Sequence, residues 1–115
     1  MFSAEDVNTV YQLLTGAGVR VWISGGWGID ALLGEQTRAH KDIDIQVQVD
    51  DVTALFDLLA PLGYTQAYLW EENRSAVDAC GAEIPTAFVL RDTVGREVDV
   101  HALRLDDEGN GIPAW

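Results

Sequence analysis

Residues 42 to 49 read DIDIQVQV, an alternation without exception. Ile43, Ile45, Val47 and Val49 fall on one side, and Asp42, Asp44, Gln46 and Gln48 on the other. A period of two describes a half-buried β-strand. The composition of its polar side is unusual, because Asp is depleted in strands. Two carboxylates at i and i+2 lie side by side on one face. They repel each other in a chain whose formal net charge is already -12.

The segments around this strand alternate between helical and extended patterns. Ser3 with Asp6 three residues later resembles a capping box. Val7, Val10, Tyr11, Leu13 and Leu14 then follow helical spacing, which predicts a helix over 4–16 ended by Gly16 and Gly18. Val19 to Ser24 is a short apolar run, read as a buried strand. Gly25-Gly26 breaks it, and Trp27 to Leu33 reads as a short helix closed by Gly34. The polar loop EQTRAHK leads into DIDIQVQV. Asp50 or Asp51 is expected to cap a second helix whose apolar stripe is Val52, Leu55, Phe56, Leu58 and Leu59, stopped near Pro61 and Gly63. Tyr64 to Trp70 reads as a strand, and 71–82 has no decisive pattern. IPTAFVLR (84–91) and REVDVHAL (96–103) flank Asp92-Thr93-Val94-Gly95, the pattern of a hairpin. The order predicts an α/β (α+β) domain, with a mixed or antiparallel sheet and helices packed on one side. The ending, LDDEGNGIPAW, is expected either to dock on the core or to be where a longer domain is cut.

The 115 residues suit one domain, and 48 % hydrophobic residues suffice for a core. Nineteen acidic against seven basic residues argue against nucleic-acid binding, which needs a basic patch on the phosphates. The single Cys80 excludes an intramolecular disulfide and fits a reducing compartment. The N-terminus lacks the pattern of a signal peptide, and no apolar run approaches the ~20 residues that span a bilayer. A cytoplasmic protein is expected.

Three features can carry chemistry. Asp42 and Asp44 point the same way, so both can reach a divalent metal site, and a cation would offset their repulsion. Alone, a D-x-D pair is more often an exposed pair on an edge strand. In EVDVH, Glu97, Asp99 and His101 share one strand face, while Val98 and Val100 face the core. If this strand lies beside 42–49, Asp99 joins the two acids. In ISGGWGID, the Gly-Gly turn between strand and helix lets the backbone approach a ligand and offers N–H groups to phosphate oxygens, with the Ser24 hydroxyl beside it. It matches neither the P-loop nor the dinucleotide fingerprint. Arg38, His40 and Lys41 form a local basic group that can clamp phosphates or simply be a solvated loop.

The order of these features resembles the nucleotidyltransferase superfamily that includes DNA polymerase beta. The run GGWGIDALLGEQTRAHKDIDI is similar to the signature of the small antibiotic nucleotidyltransferases, the lincosamide and aminoglycoside 2''-adenylyltransferases, and EVDVH resembles the acid-bearing strand that follows. The resemblance covers roughly residues 5–103. It implies the nucleotidyltransferase fold and Mg²⁺-dependent transfer of a nucleoside monophosphate, most simply AMP from ATP, to a hydroxyl of a small cationic antibiotic, releasing pyrophosphate. Aminoglycosides are favoured over lincosamides by the net charge. Acids such as Glu71, Glu72, Asp78 and Glu83 could line a pocket for such a cation. Ser24, Gly25, Gly26, Arg38 and Lys41 would hold the triphosphate. Asp42, Asp44 and Asp99 would hold two Mg²⁺ ions, with Asp99 as general base and Glu97 and His101 as alternatives. The chain is short for the family, whose further elements help build the acceptor site or a homodimer. Competing readings are a minimal nucleotidyltransferase of the toxin–antitoxin type and a non-catalytic remnant of the fold.

Overall fold

The computed structural model describes residues 4–24, 42–71, 73–105 and 111–113. Helix α1 (Ala4–Gly16) is followed by β1 (Val21–Ser24) and β2 (Asp42–Gln48). Helix α2 (Val52–Leu59) and β3 (Thr65–Leu69) come next. A small hairpin, β4 (Ser75–Val77) and β5 (Glu83–Pro85), precedes β6 (Ala87–Arg91), β7 (Glu97–Leu105) and β8 (Gly111–Pro113). The main sheet runs β1-β2-β7-β6-β3, and β8 pairs with the end of β7. The sheet is mixed: β2 and β7 run parallel at its centre, and every other pairing in it is antiparallel. Among the described residues, no helix is long and apolar enough to cross a membrane.

Alternation decides which face the core takes. In register, Ile43, Val98 and Leu90 form one row across three strands, and Ile45, Val100 and Phe88 the next. All six are at most 1 % exposed. They join Val10 and Leu14 of α1 and Val52, Leu55 and Leu59 of α2 in one apolar cluster. The Phe56 ring stacks on Phe88 at 5.0 Å. Fully burying such a side chain contributes about 1.5–3 kcal/mol, so this layer holds the helices to the sheet. The helices cover one face, as the alternating patterns require.

Several local expectations are sharpened. Helix α1 spans the expected residues and closes on Gly18 at φ +86°, with Val19 N–H bonding back to the Leu14 carbonyl. Tyr11, expected on its apolar stripe, is exposed. The Ser3 cap and the short helix expected over 27–33 lie outside the described residues. Val21 to Ile23 in β1 are half-buried rather than buried. Asp51 occupies the N-cap position of α2 but makes no capping bond, because a 3₁₀ turn over Val49–Asp51 precedes the helix. The Asp50 carboxylate instead accepts from Ala79 N–H at 2.8 Å. Most of the separate β4–β5 hairpin falls in 71–82, where no pattern was decisive, but the run 84–91 expected as one strand is split at Thr86: Ile84 and Pro85 belong to β5, and only Ala87–Arg91 pairs with β7. The tail does contain an element, since β8 adds to β7.

Candidate active site

The second face of the sheet is polar at its centre. Because β2 and β7 run parallel, Asp42 lies beside Glu97, Asp44 beside Asp99 and Gln46 beside His101. Directly paired residues project to the same side of a sheet. The two acid-bearing strands are therefore adjacent, and their acids share a face. A row across the sheet reads Tyr68, Val89, Asp99, Asp44 and Ser24. β1 ends at Ser24, level with Asp44.

The three acids are not equivalent. Asp42 is exposed and Asp44 half-buried. Asp44 is pushed up to about 6, first by burial, then by the Asp99 and Asp42 charges and by a hydrogen bond with Asp99 that favours its neutral form. Burial also raises Asp99, but the Trp70 hydrogen bond, the His101 ring and the bond from Asp44 oppose that rise. Both carboxyls are thus raised, and the hydrogen bond between them shares a proton within the pair. Asp99 Oδ1 accepts from Trp70 Nε1 at 2.8 Å and lies 3.5 Å from His101 Nδ1.

Glu97 is engaged elsewhere. It is 5 % exposed and accepts from Arg91 Nη2 at 2.6 Å and from Arg91 Nε at 3.1 Å. Its carboxylate is thus paired with a guanidinium. This sets it apart from Asp99 on the same strand. Among the acids expected near an acceptor, Asp78 ties up its own loop, accepting from Cys80 and Ala82 N–H at 2.9 Å each. Glu71 and Glu83 are exposed. Gly25, Gly26, Arg38, His40, Lys41 and Glu72, and the Ser24 side chain, lie outside the described residues.

Carboxylate oxygens are the donors that hard divalent cations take, and a cation would relieve the repulsion that raises Asp44. Two of the three acids already stand side by side. As the side chains stand, no group of three or more His, Cys, Asp or Glu among the described residues is gathered to hold a metal ion. Trp70 was not expected in the site. No local pattern marks it, because it reaches Asp99 from 29 residues away.

The fold and this acid-bearing face define a class. The chain superposes on LnuA, a lincosamide antibiotic adenylyltransferase solved with lincomycin bound, with a TM-score of 0.78 and 25 % identity, covering 98 % of this chain and 63 % of that one. It shares its fold with ANT(2'')-Ia solved in complex with adenylyl-2''-tobramycin, at a TM-score of 0.74 and 22 % identity, over 94 % of this chain and 53 % of that one. This is the fold of the antibiotic nucleotidyltransferases.

The family model for aminoglycoside-2''-adenylyltransferase matches residues 6–114, and the chain belongs to that family. A lincosamide resistance protein from Staphylococcus haemolyticus is 29 % identical over 106 residues, 92 % of this chain and 58 % of that protein. A 2''-aminoglycoside nucleotidyltransferase from Klebsiella pneumoniae is 50 % identical over 43 residues, 35 % of this chain and 24 % of that protein. The chain thus spans less than two thirds of these relatives.

Proposed function

We propose that this chain carries the catalytic centre of a transferase that moves AMP from ATP to a hydroxyl of an antibiotic, releasing pyrophosphate. The observation that carries this reading is the adjacency of Asp44 and Asp99 on parallel strands, on the face opposite the core. In this reading Asp42, Asp44 and Asp99 hold two Mg²⁺ ions. Bound magnesium supplies the positive charge that stabilises the attacking and leaving oxygens of an in-line displacement. Asp99 accepts the proton of the acceptor hydroxyl. One of its oxygens accepts from Trp70, and Glu97 on the same strand is paired with Arg91 instead. Ser24, Gly25 and Gly26 cradle the triphosphate where β1 ends beside Asp44, and Arg38 and Lys41 neutralise it.

Aminoglycosides are the favoured acceptors, supported by the family match and by a net charge of -12 that suits polycations. A lincosamide acceptor is the second reading. It is favoured by the relative aligned over 92 % of the chain, a lincosamide resistance protein.

The test is pyrophosphate release from ATP with a panel of aminoglycosides and lincosamides, with and without Mg²⁺. Turnover with one class, lost on chelation, is the expected result. A folded protein with no turnover on either class would reject the reading.

A further inference from the structure

Trp70 stands just past the end of β3, two strands away from Asp99. Its indole N–H nevertheless donates to Asp99 Oδ1 at 2.8 Å. Between them runs β6, which places the buried Ala87 and Val89 on this face in register with His101 and Asp99. Trp70 is only half-buried, so water could satisfy its N–H without the carboxylate. Its aim is set by a dedicated local structure. Trp70 N–H donates to the Ala87 carbonyl at 3.0 Å, and Asn73 N–H donates back to the Trp70 carbonyl at 3.0 Å. The Asn73 side-chain oxygen accepts from Thr86 N–H at 2.8 Å and Ala87 N–H at 3.1 Å. Thr86, fully buried, accepts from Arg74 N–H and donates to the Arg74 carbonyl through its hydroxyl. The Tyr68 ring meets the indole edge-on at 5.1 Å. The turn after β3 is pinned to the start of β6 by a backbone bond at Trp70 and by side-chain bonds at Asn73 and Arg74, with the indole directed across the sheet.

A carboxylate placed beside two others tends to rotate away from them. Asp99 has Asp44 as its paired neighbour and Asp42 two residues further along the same face. An oriented donor on one oxygen opposes that rotation, as partners behind metal-ligating and proton-accepting groups do elsewhere.

We propose that Trp70 is a positioning residue that fixes the Asp99 carboxylate for the reaction, and that Asn73 and Thr86 form the clamp that aims it. The kinetic part of this proposal rests on the transferase reading above; the contact itself does not. Two measurements separate them. In spectra of ¹⁵N-indole-labelled protein, Trp70→Phe identifies the Trp70 signal by its loss. Asp99→Ala is expected to shift that signal while the other three indole signals stay, and Asn73→Ala to shift it in the same direction. In turnover assays, Trp70→Phe is expected to lower kcat on the order of 10- to 100-fold with the KM for ATP little changed. Should Trp70→Phe fold poorly, a benzothienyl-alanine at position 70 keeps the shape of the ring and removes only the N–H. A Trp70 signal unmoved by Asp99→Ala would overturn the proposal. So would wild-type kcat in a folded variant lacking the N–H. A shifted signal in a wild-type protein without turnover supports the Trp70–Asp99 hold and rejects the transferase reading alone.

Discussion

Asp44 and Asp99 stand side by side, and burial raises both carboxyls, Asp44 to about 6. Burial acts on both, but an indole donor and a nearby imidazole oppose the rise at Asp99, whereas two like charges add to it at Asp44. The folded protein therefore binds a proton at Asp44 that the unfolded chain, titrating near 3.8, releases earlier. A raised carboxylate pKa contributes stability that is fully present below pH 3.8 and is lost as pH rises through about 6. Asp44→Asn cannot titrate, so wild type should lose stability relative to it between these values. After discounting for partial exposure, the difference should be about 1–2 kcal/mol. Parallel denaturation midpoints for the two proteins across that window would refute it. Transfer should fall on the order of 10²–10³-fold in the same variant, the cost of losing one preorganised electrostatic contact. At this scale the sequence was informative about the acids and silent about their support. The i, i+2 spacing places Asp42 and Asp44 on one face by backbone geometry alone. Trp70 reaches Asp99 only through a turn held by Asn73 and Thr86, and no periodicity encodes a bond across 29 residues.

The elements were legible where one period dominates and less so at their ends. DTVG between two strand-like runs predicts the β6–β7 hairpin, and Gly95 takes a positive φ of +89°. What locks the turn is the Asp92 side chain, 1 % exposed, which accepts from Val94 N–H, Arg96 N–H and Arg96 Nε. Arg96 also bridges to Asp6 on α1 at 2.8 Å, a contact that only the folded chain creates. Burial pushes Asp92 up, but the Arg96 and backbone donors outweigh it and hold its pKa below the ordinary value. That stability is present above pH 3.8 and is lost as pH falls through the lower folded value. Asp92→Asn should cost about 1.5–3 kcal/mol at pH 7, the worth of a charge-assisted bond. The deficit should shrink in acid, and a deficit that stays constant down to the acid transition would exclude the charge as its source. The start of α2 behaves differently. Asp51 sits at the N-cap without a capping bond, and burial and the Asp50 charge raise its pKa. A capping Asp normally contributes about 1 kcal/mol, whereas Asp51→Ala should cost under about 0.5 kcal/mol here. Chemical denaturation that finds the full capping loss would contradict this reading of the 3₁₀ turn.

At the scale of the molecule, the sheet separates two tasks by face. Ile43, Ile45, Val98, Val100, Phe88 and Leu90 bind the helices, while Asp42, Asp44, Asp99 and His101 face the other way. A slip of one residue between β2 and β7 would carry the carboxylates into the apolar layer, so the core fixes the register that aligns the acids. The pattern of elements predicts a mixed sheet covered on one side by helices. It does not say that β2 and β7 pair in parallel, because the two runs lie about fifty residues apart in sequence and the pairing follows from burying both apolar faces against the same helices. This separation has a measurable consequence. Phe88 is fully buried and stacked on Phe56, so Phe88→Ala should cost about 3–5 kcal/mol, a large part of the roughly 5–15 kcal/mol that holds a domain together. Its loss leaves the acids and their charges in place. At a temperature where the variant remains folded, kcat should therefore stay within about twofold of wild type, since Phe88 lies on the sheet face opposite the acids. Asp44→Asn should show the converse, with stability kept and turnover lost. Denaturation curves and turnover at matched folded fraction decide the matter. A kcat for folded Phe88→Ala as low as that of Asp44→Asn would mean that the core sets the geometry of the acids more finely than register alone.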